Sequence, residues 1–195
     1  MRLLCLKLFL FALLCTGFIS MADASVRNVR NNNPGNLKHT ADDWEGAKAE
    51  QSDPEFVQFD TPAYGVRALS KTLITYKNKH NLNTVEKIIN RFAPGEENDT
   101  KKYISFISNY LGVTPSEIID VENPNIAKEI IKAIITQEGG KESLNVFESN
   151  IDEGLRMSGV LPDKQSFMQS ATEFMAPKGN PTRERQMLAR ALQNG

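Results

Sequence analysis

NPNIAKEIIKAIITQEGG, residues 123–140, decides the fold. Asn123 offers a side-chain oxygen to the first unpaired backbone N–H groups, and Pro124 pre-sets φ for the first helical turn. Ile126, Ala127, Ile130, Ile131, Ile134 and Ile135 then recur every three to four positions. This spacing predicts an amphipathic helix with a broad apolar face that runs to Glu138 and stops at Gly139-Gly140. Glu138 lies four residues after Ile134, seven after Ile131 and eleven after Ala127, which puts it on that apolar face. A carboxyl at the edge of a core is partly desolvated, and the negative end of the helix dipole adds to the effect. Both hold the proton on. A glutamic acid that keeps its proton near neutral pH is what glycosidic cleavage asks of a general acid. Glutamate is also a good helix former, so periodicity alone leaves a structural role open.

The rest of the chain reads the same way. Thr61-Pro62 opens a helix through Val66, Leu69, Leu73 and Tyr76. Thr84 caps one carrying Val85, Ile88, Ile89 and Phe92, ended by Pro94-Gly95. Asp99 caps one carrying Tyr103, Phe106, Ile107 and Tyr110, closed by Gly112. Thr114-Pro115-Ser116-Glu117 has the capping-box pattern. Further helices are predicted near 141–156, 163–175 and 183–193, with Lys178-Gly179-Asn180-Pro181 as the most linker-like stretch. One β-hairpin is predicted over 42–60, its strands around Trp44-Glu45-Gly46 and Phe56-Val57-Gln58-Phe59. No βαβ alternation occurs, so the predicted class is mainly α, α+β in the small sense of a helical domain with one hairpin.

Asn31-Asn32-Asn33-Pro34-Gly35-Asn36 cannot continue a helix or a central strand. Proline lacks an N–H, glycine permits positive φ, and asparagine side chains bond their own backbone. A tight turn dense in amide donors and acceptors follows.

Residues 1–24 read as a secretory signal peptide: Arg2 and Lys7, an uncharged apolar run from Leu8 to Ile19, and a small-x-small site at Ala22-Asp23-Ala24. The run is shorter than the roughly 20 apolar residues that span a bilayer. Membrane contact is therefore expected only transiently, through this leader. Both cysteines, Cys5 and Cys15, lie within it, so the mature chain has no disulfide or thiolate site. Removing the leader takes away two cations and one acid and moves the net charge from −1 to −2. That balance gives no electrostatic basis for nucleic-acid binding. His39 and His80 lack ligand spacing, and no nucleophile elbow or phosphate-binding glycine loop is present, so neither a metal nor a cofactor is expected.

Asp42, Asp43, Glu45, Asp53 and Glu55 cluster in the hairpin region. Of these, Glu45, Asp53 or Glu55 would serve as a second carboxylate, activating water or stabilising charge at the sugar. A solvated acidic loop is the simpler reading. Glu96-Glu97-Asn98-Asp99 reads as a cap with exposed charges. Trp44 and Tyr64, with Phe56 and Phe59, are candidates to line a sugar groove, or to be core.

Taken in order, Arg30 to Leu37, Trp44-Glu45-Gly46, Phe56 to Phe59 with Tyr64-Gly65-Val66-Arg67-Ala68, Thr84 to Pro94, Glu97 to Thr100 with Tyr103, and Ala133 to Gly140 resemble a phage and bacterial group of lysozyme-like murein-degrading proteins. The resemblance covers about residues 27–140 and departs at Phe92, where tryptophan is usual, and at Gly139, where a polar residue is common. A second resemblance is to bacterial glucosaminidases of the flagellar muramidase type, in which the glutamate helix precedes the Asn-rich turn and β-element. The order here looks like a circular permutation of theirs.

The resemblance implies a lysozyme-like domain over 25–140, with an additional helical region over 141–195. It implies an exported enzyme of the periplasm or cell envelope, a lytic transglycosylase or glycosidase cutting the β-1,4 glycan strand of peptidoglycan. Glu138 would be its acid, and Asn32, Asn33, Asn36, Trp44 and Tyr64 would bind substrate. The alternative is a non-catalytic envelope or virion protein that uses the fold to bind glycan or a protein partner. The permuted order implies that Glu138 comes close to the Asn32–Asn36 turn.

Overall fold

The computed structural model describes residues 26–95 and 99–163. The leader with its cysteines, Glu96 to Asn98, the helices predicted from 163 onward and the 178–181 linker lie outside these residues. The protein is mainly α-helical. Five helices are described: α1 (Arg27–Arg30), α2 (Pro62–His80), α3 (Val85–Phe92), α4 (Thr100–Leu111) and α5 (Pro124–Ser158). Among the described residues no helix is long and apolar enough to cross a membrane.

The helix starts follow from local chemistry. The Thr61, Thr84, Asp99 and Asn123 side chains each accept a backbone N–H of their own first turn. Gly112 ends α4 at φ 68°, the left-handed conformation that glycine adopts without a Cβ clash. The Thr114–Glu117 box is only half formed. The Thr114 N–H donates to Glu117 Oε2 at 3.2 Å, yet no helix follows. Neighbouring backbone is instead drawn to α3, with Glu86 N donating to Pro115 O and Ile119 N to Asn83 O.

The Gly139-Gly140 stop is a break rather than an end. Gly140 leaves helical space (φ 76°, ψ −175°), and the chain resumes its helix at once, so α5 has two arms. The second arm is core: Phe147, Ile151 and Leu155 are fully buried. It meets α2 so closely that a Cβ on Gly154 would lie 2.5 Å from Val66, and Ser70 shares a hydrogen bond with Ser158 at 2.9 Å. The first compact unit runs to Val160. Of the second unit, from Leu161 on, only residues 161–163 are described.

The predicted hairpin is replaced by two isolated antiparallel bridges, Lys38 to Phe56 and Ala47 to Phe59. The 56–59 segment lies between two extended pieces, not beside one. Val57 N donates to Leu37 O on one side and Lys48 N to Gln58 O on the other. The Gln58 side chain takes part of the ladder's role, accepting from the Ser52 and Asp53 N–H groups.

Candidate functional site

The site begins at α1, a single turn the sequence reading missed. Its residue Asn28 is fully buried, and the chain then folds back at Asn32 (φ 50°) and Asn36 (φ 46°), left-handed positions that asparagine tolerates. These reversals send successive amides in different directions. Asn33 points inward, donating to Leu37 O at 2.9 Å and Val57 O at 2.8 Å and accepting from Leu37 N. Asn32 donates to Phe59 O and Asp60 O. Both are scaffold, not the substrate ligands expected. Asn36 alone of the three faces the glutamate, and its Nδ2 donates to Glu138 Oε2 at 2.9 Å.

Glu138, half-buried at the end of the first arm of α5, has a second donor. The Tyr103 hydroxyl reaches Oε1 at 2.9 Å. Tyr103 is 2% exposed and packs edge-to-face on Phe92, ring centroids 6.4 Å apart. Burial pushes the Glu138 carboxyl above its ordinary value, and the two hydrogen bonds offset part of that rise. Burial, with the carboxylate beside it, pushes the Tyr103 phenol up as well, so it stays a donor. Sequence reasoning placed Tyr103 among core positions. The signal it missed is general: a buried tyrosine hydroxyl takes a partner.

Gly139 is required by what presses on it. A Cβ there would lie 2.0 Å from Ser143 Oγ and 2.6 Å from Asn28 Nδ2. Ser143 Oγ in turn donates to Asn28 Oδ1 at 2.9 Å, so α1 and both arms of α5 meet directly behind the glutamate.

In front of Glu138 lies an open cleft of about 820 Å³. The Asn turn supplies Gly35, Asn36, Leu37 and Lys38; the following loop supplies Asp42, Trp44, Glu55 and Phe56; α2 supplies Thr72, Thr75, Tyr76, Lys79 and His80; and α3 with the residues after it supplies Arg91 to Pro94. Trp44 is thus a lining residue of the cleft. Tyr64 is not: it packs with Leu37, Trp44 and Ala47 against Phe59, and a Cβ on Gly46 would fall within its ring.

The three candidate second carboxylates separate. Asp53 is buried, held by Arg27 at 2.8 and 2.6 Å, by Asn31 at 2.8 Å, and by the N–H groups of Glu55 and Phe56. The Arg27 guanidinium above all holds its carboxyl far below the usual carboxylate range. It is a structural anchor of the turn. Its stabilisation is present above the ordinary carboxylate pKa and is lost as pH falls through its depressed folded value. Asp53→Asn is expected to lower Tm by several degrees at neutral pH, with the gap to wild type closing below about pH 4 in thermal melts. Glu45 pairs with Arg67 at 2.5 Å and does not line the cleft. Glu55 lines it, but is bound to Arg27 at 2.8 Å and lies 3.8 Å from Lys38. Among the described residues no group of acids, histidines or cysteines is arranged to hold a metal ion.

Fold and site together define a mainly helical protein that presents a half-buried, hydrogen-bonded glutamic acid at the floor of an open cleft. No protein-family model matches the chain. The chain is 39% identical over 126 residues to Protein P5 of Pseudoalteromonas phage PM2, an alignment covering 63% of this chain and 77% of that protein. It belongs to the same family as that phage protein.

Proposed function

We propose that this protein is an exported, lysozyme-like enzyme that cleaves the β-1,4 glycan strand of peptidoglycan, with Glu138 as its acid. The observation that carries the reading is the pairing of Asn36 and Tyr103 on one carboxyl whose pKa burial raises, lining an open cleft of about 820 Å³. Protonated Glu138 gives its proton to the leaving glycosidic oxygen as the bond to the anomeric carbon breaks. The ionised carboxylate then accepts from Asn36 Nδ2 and the Tyr103 hydroxyl. Asn36 Oδ1 is buried with no partner. A flip of this amide lets Oδ1 accept from the carboxylic acid before proton transfer and lets Nδ2 donate to the carboxylate after it. Either state of the acid is thereby matched.

One carboxylate suffices for a lytic transglycosylase, because the substrate's own hydroxyl attacks the anomeric carbon and returns its proton to the glutamate. Most inverting and retaining hydrolases use a second acid. Of the three sequence candidates, Asp53 is held by Arg27, Glu55 is ion-paired, and Glu45 pairs with Arg67 outside the cleft lining, which favours the transglycosylase. Mass spectrometry of the fragments released from purified peptidoglycan tests this. Anhydro-ended products support it; products heavier by one water indicate hydrolysis; no glycan cleavage with retained binding indicates a binding protein on the same fold.

The Tyr103→Phe variant has a signed outcome. Tyr103 favours the ionised form of Glu138, so its loss raises the carboxyl pKa further. The alkaline limb of the pH–rate profile of muropeptide release is expected to move to higher pH.

A further inference from the structure

One wall of the cleft carries a cationic rim that the acid chemistry does not use. On α2, Thr72, Thr75, Tyr76 and Lys79 all line the cleft, and their spacing of three, four and seven residues places them on one helix face. His80 continues that rim, and Arg91 joins it from the last turn of α3. The Arg91 guanidinium lies over the Tyr76 ring, 5.2 Å from its centroid, so its planar fork is held in place before any ligand arrives.

Lys77, two residues before Lys79, is neutralised away from the cleft by Asp120, at 2.6 Å, and Glu122. Lys79 and Arg91 form no ion pair among the described residues. The lining from the Asn turn and its loop is different: there Glu55 is paired with Arg27 and Lys38, and Asp42 is acidic. The cleft is therefore polarised, with its uncompensated positive charge on the α2–α3 wall. The sugar rings of a glycan strand are mostly uncharged, so this wall fits something attached to them.

We propose that Lys79 and Arg91 bind a carboxylate of the peptide stems attached to the glycan strand, making the enzyme selective for strands with anionic stems. This rests on the reading of the cleft as a glycan site. Arg91 presents a bidentate fork suited to a carboxylate, Lys79 adds a point charge, and Thr72 and Thr75 line the same cleft on the helix face that carries Lys79.

The test uses the full chain carrying Glu138→Gln, so that no turnover intervenes, and measures affinity for two soluble peptidoglycan strand preparations of equal length. One has free stem carboxylates; in the other they are converted to primary amides, so size is kept while charge is removed. The free-carboxylate strand is expected to bind roughly tenfold tighter at low salt, a preference that fades as ionic strength rises. Adding Lys79→Gln and Arg91→Gln should bring the ratio to about one. Equal affinity for the two strands before those substitutions, or an undiminished preference after them, overturns the proposal and leaves the glycan reading standing. Binding of neither strand overturns both.

Discussion

Glu138→Gln is expected to reduce muropeptide release by about a thousandfold while leaving the fold intact and more stable at neutral pH. The loss follows from the one proton the reaction needs. Glutamine fills the same space and can still accept from Tyr103, and a flipped Asn36 would meet the new amide with its partnerless Oδ1. The stability gain follows from linkage. Burial raises the Glu138 pKa in the folded state above the ordinary 4.5. At low pH both states carry the neutral acid and nothing is lost. As pH rises through 4.5 toward the folded value, the unfolded chain ionises more readily, and the wild type loses stability that the glutamine variant keeps. Thermal melts of the two proteins should therefore coincide at acid pH and separate, variant above wild type, as pH is raised. A buried acid that costs its own fold stability is a common mark of function over structure.

Gly65→Ala is expected to be the most damaging small substitution. Gly65 lies in the first turns of α2, directly under the Asn turn. A Cβ there would lie 1.9 Å from Asn32 O and 2.7 Å from Pro34 Cδ. Neither a backbone carbonyl nor a proline ring can swing aside, so turn and helix must part. Overpacking of this kind costs about 3 kcal/mol. For a domain of this size that lowers Tm on the order of 10 °C in calorimetry. The same displacement moves Asn36 from Glu138, so muropeptide release should fall even well below the new Tm. Gly112→Ala is the contrast: open space surrounds it, and only its φ of 68° is strained, at about 1 kcal/mol.

What was legible in the sequence is what short-range chemistry determines. The caps at Thr61, Thr84, Asp99 and Asn123 each act on their own helix, so three or four residues suffice to read them. Glu138 was legible because its offset from Ile131 and Ile134 is fixed by the helix repeat. What was not legible depends on partners far along the chain. Asp53 looks like a free acid until Arg27, 26 residues earlier, is folded against it. Tyr103 looks like core until its hydroxyl meets a carboxyl 35 residues on. The asparagines of the turn cannot be told apart by composition. The positive φ at Asn32 and at Asn36 decides which amide props the backbone and which reaches the acid. Gly139-Gly140 reads as a stop because glycine pairs usually are; a single left-handed residue followed by resumed helix leaves no mark in the pattern.

The central claim is that the Asn turn and Glu138, 102 residues apart, form one working acid at a glycan cleft. A titration followed by NMR tests it most directly, reading the Glu138 carboxyl carbon and the Asn36 side-chain amide in one sample, with and without a peptidoglycan oligosaccharide. The account predicts that both signals report a single midpoint above 4.5, and that the oligosaccharide shifts both. A carboxyl that titrates at or below 4.5, an Asn36 amide that does not follow it, or signals indifferent to the sugar would contradict the account.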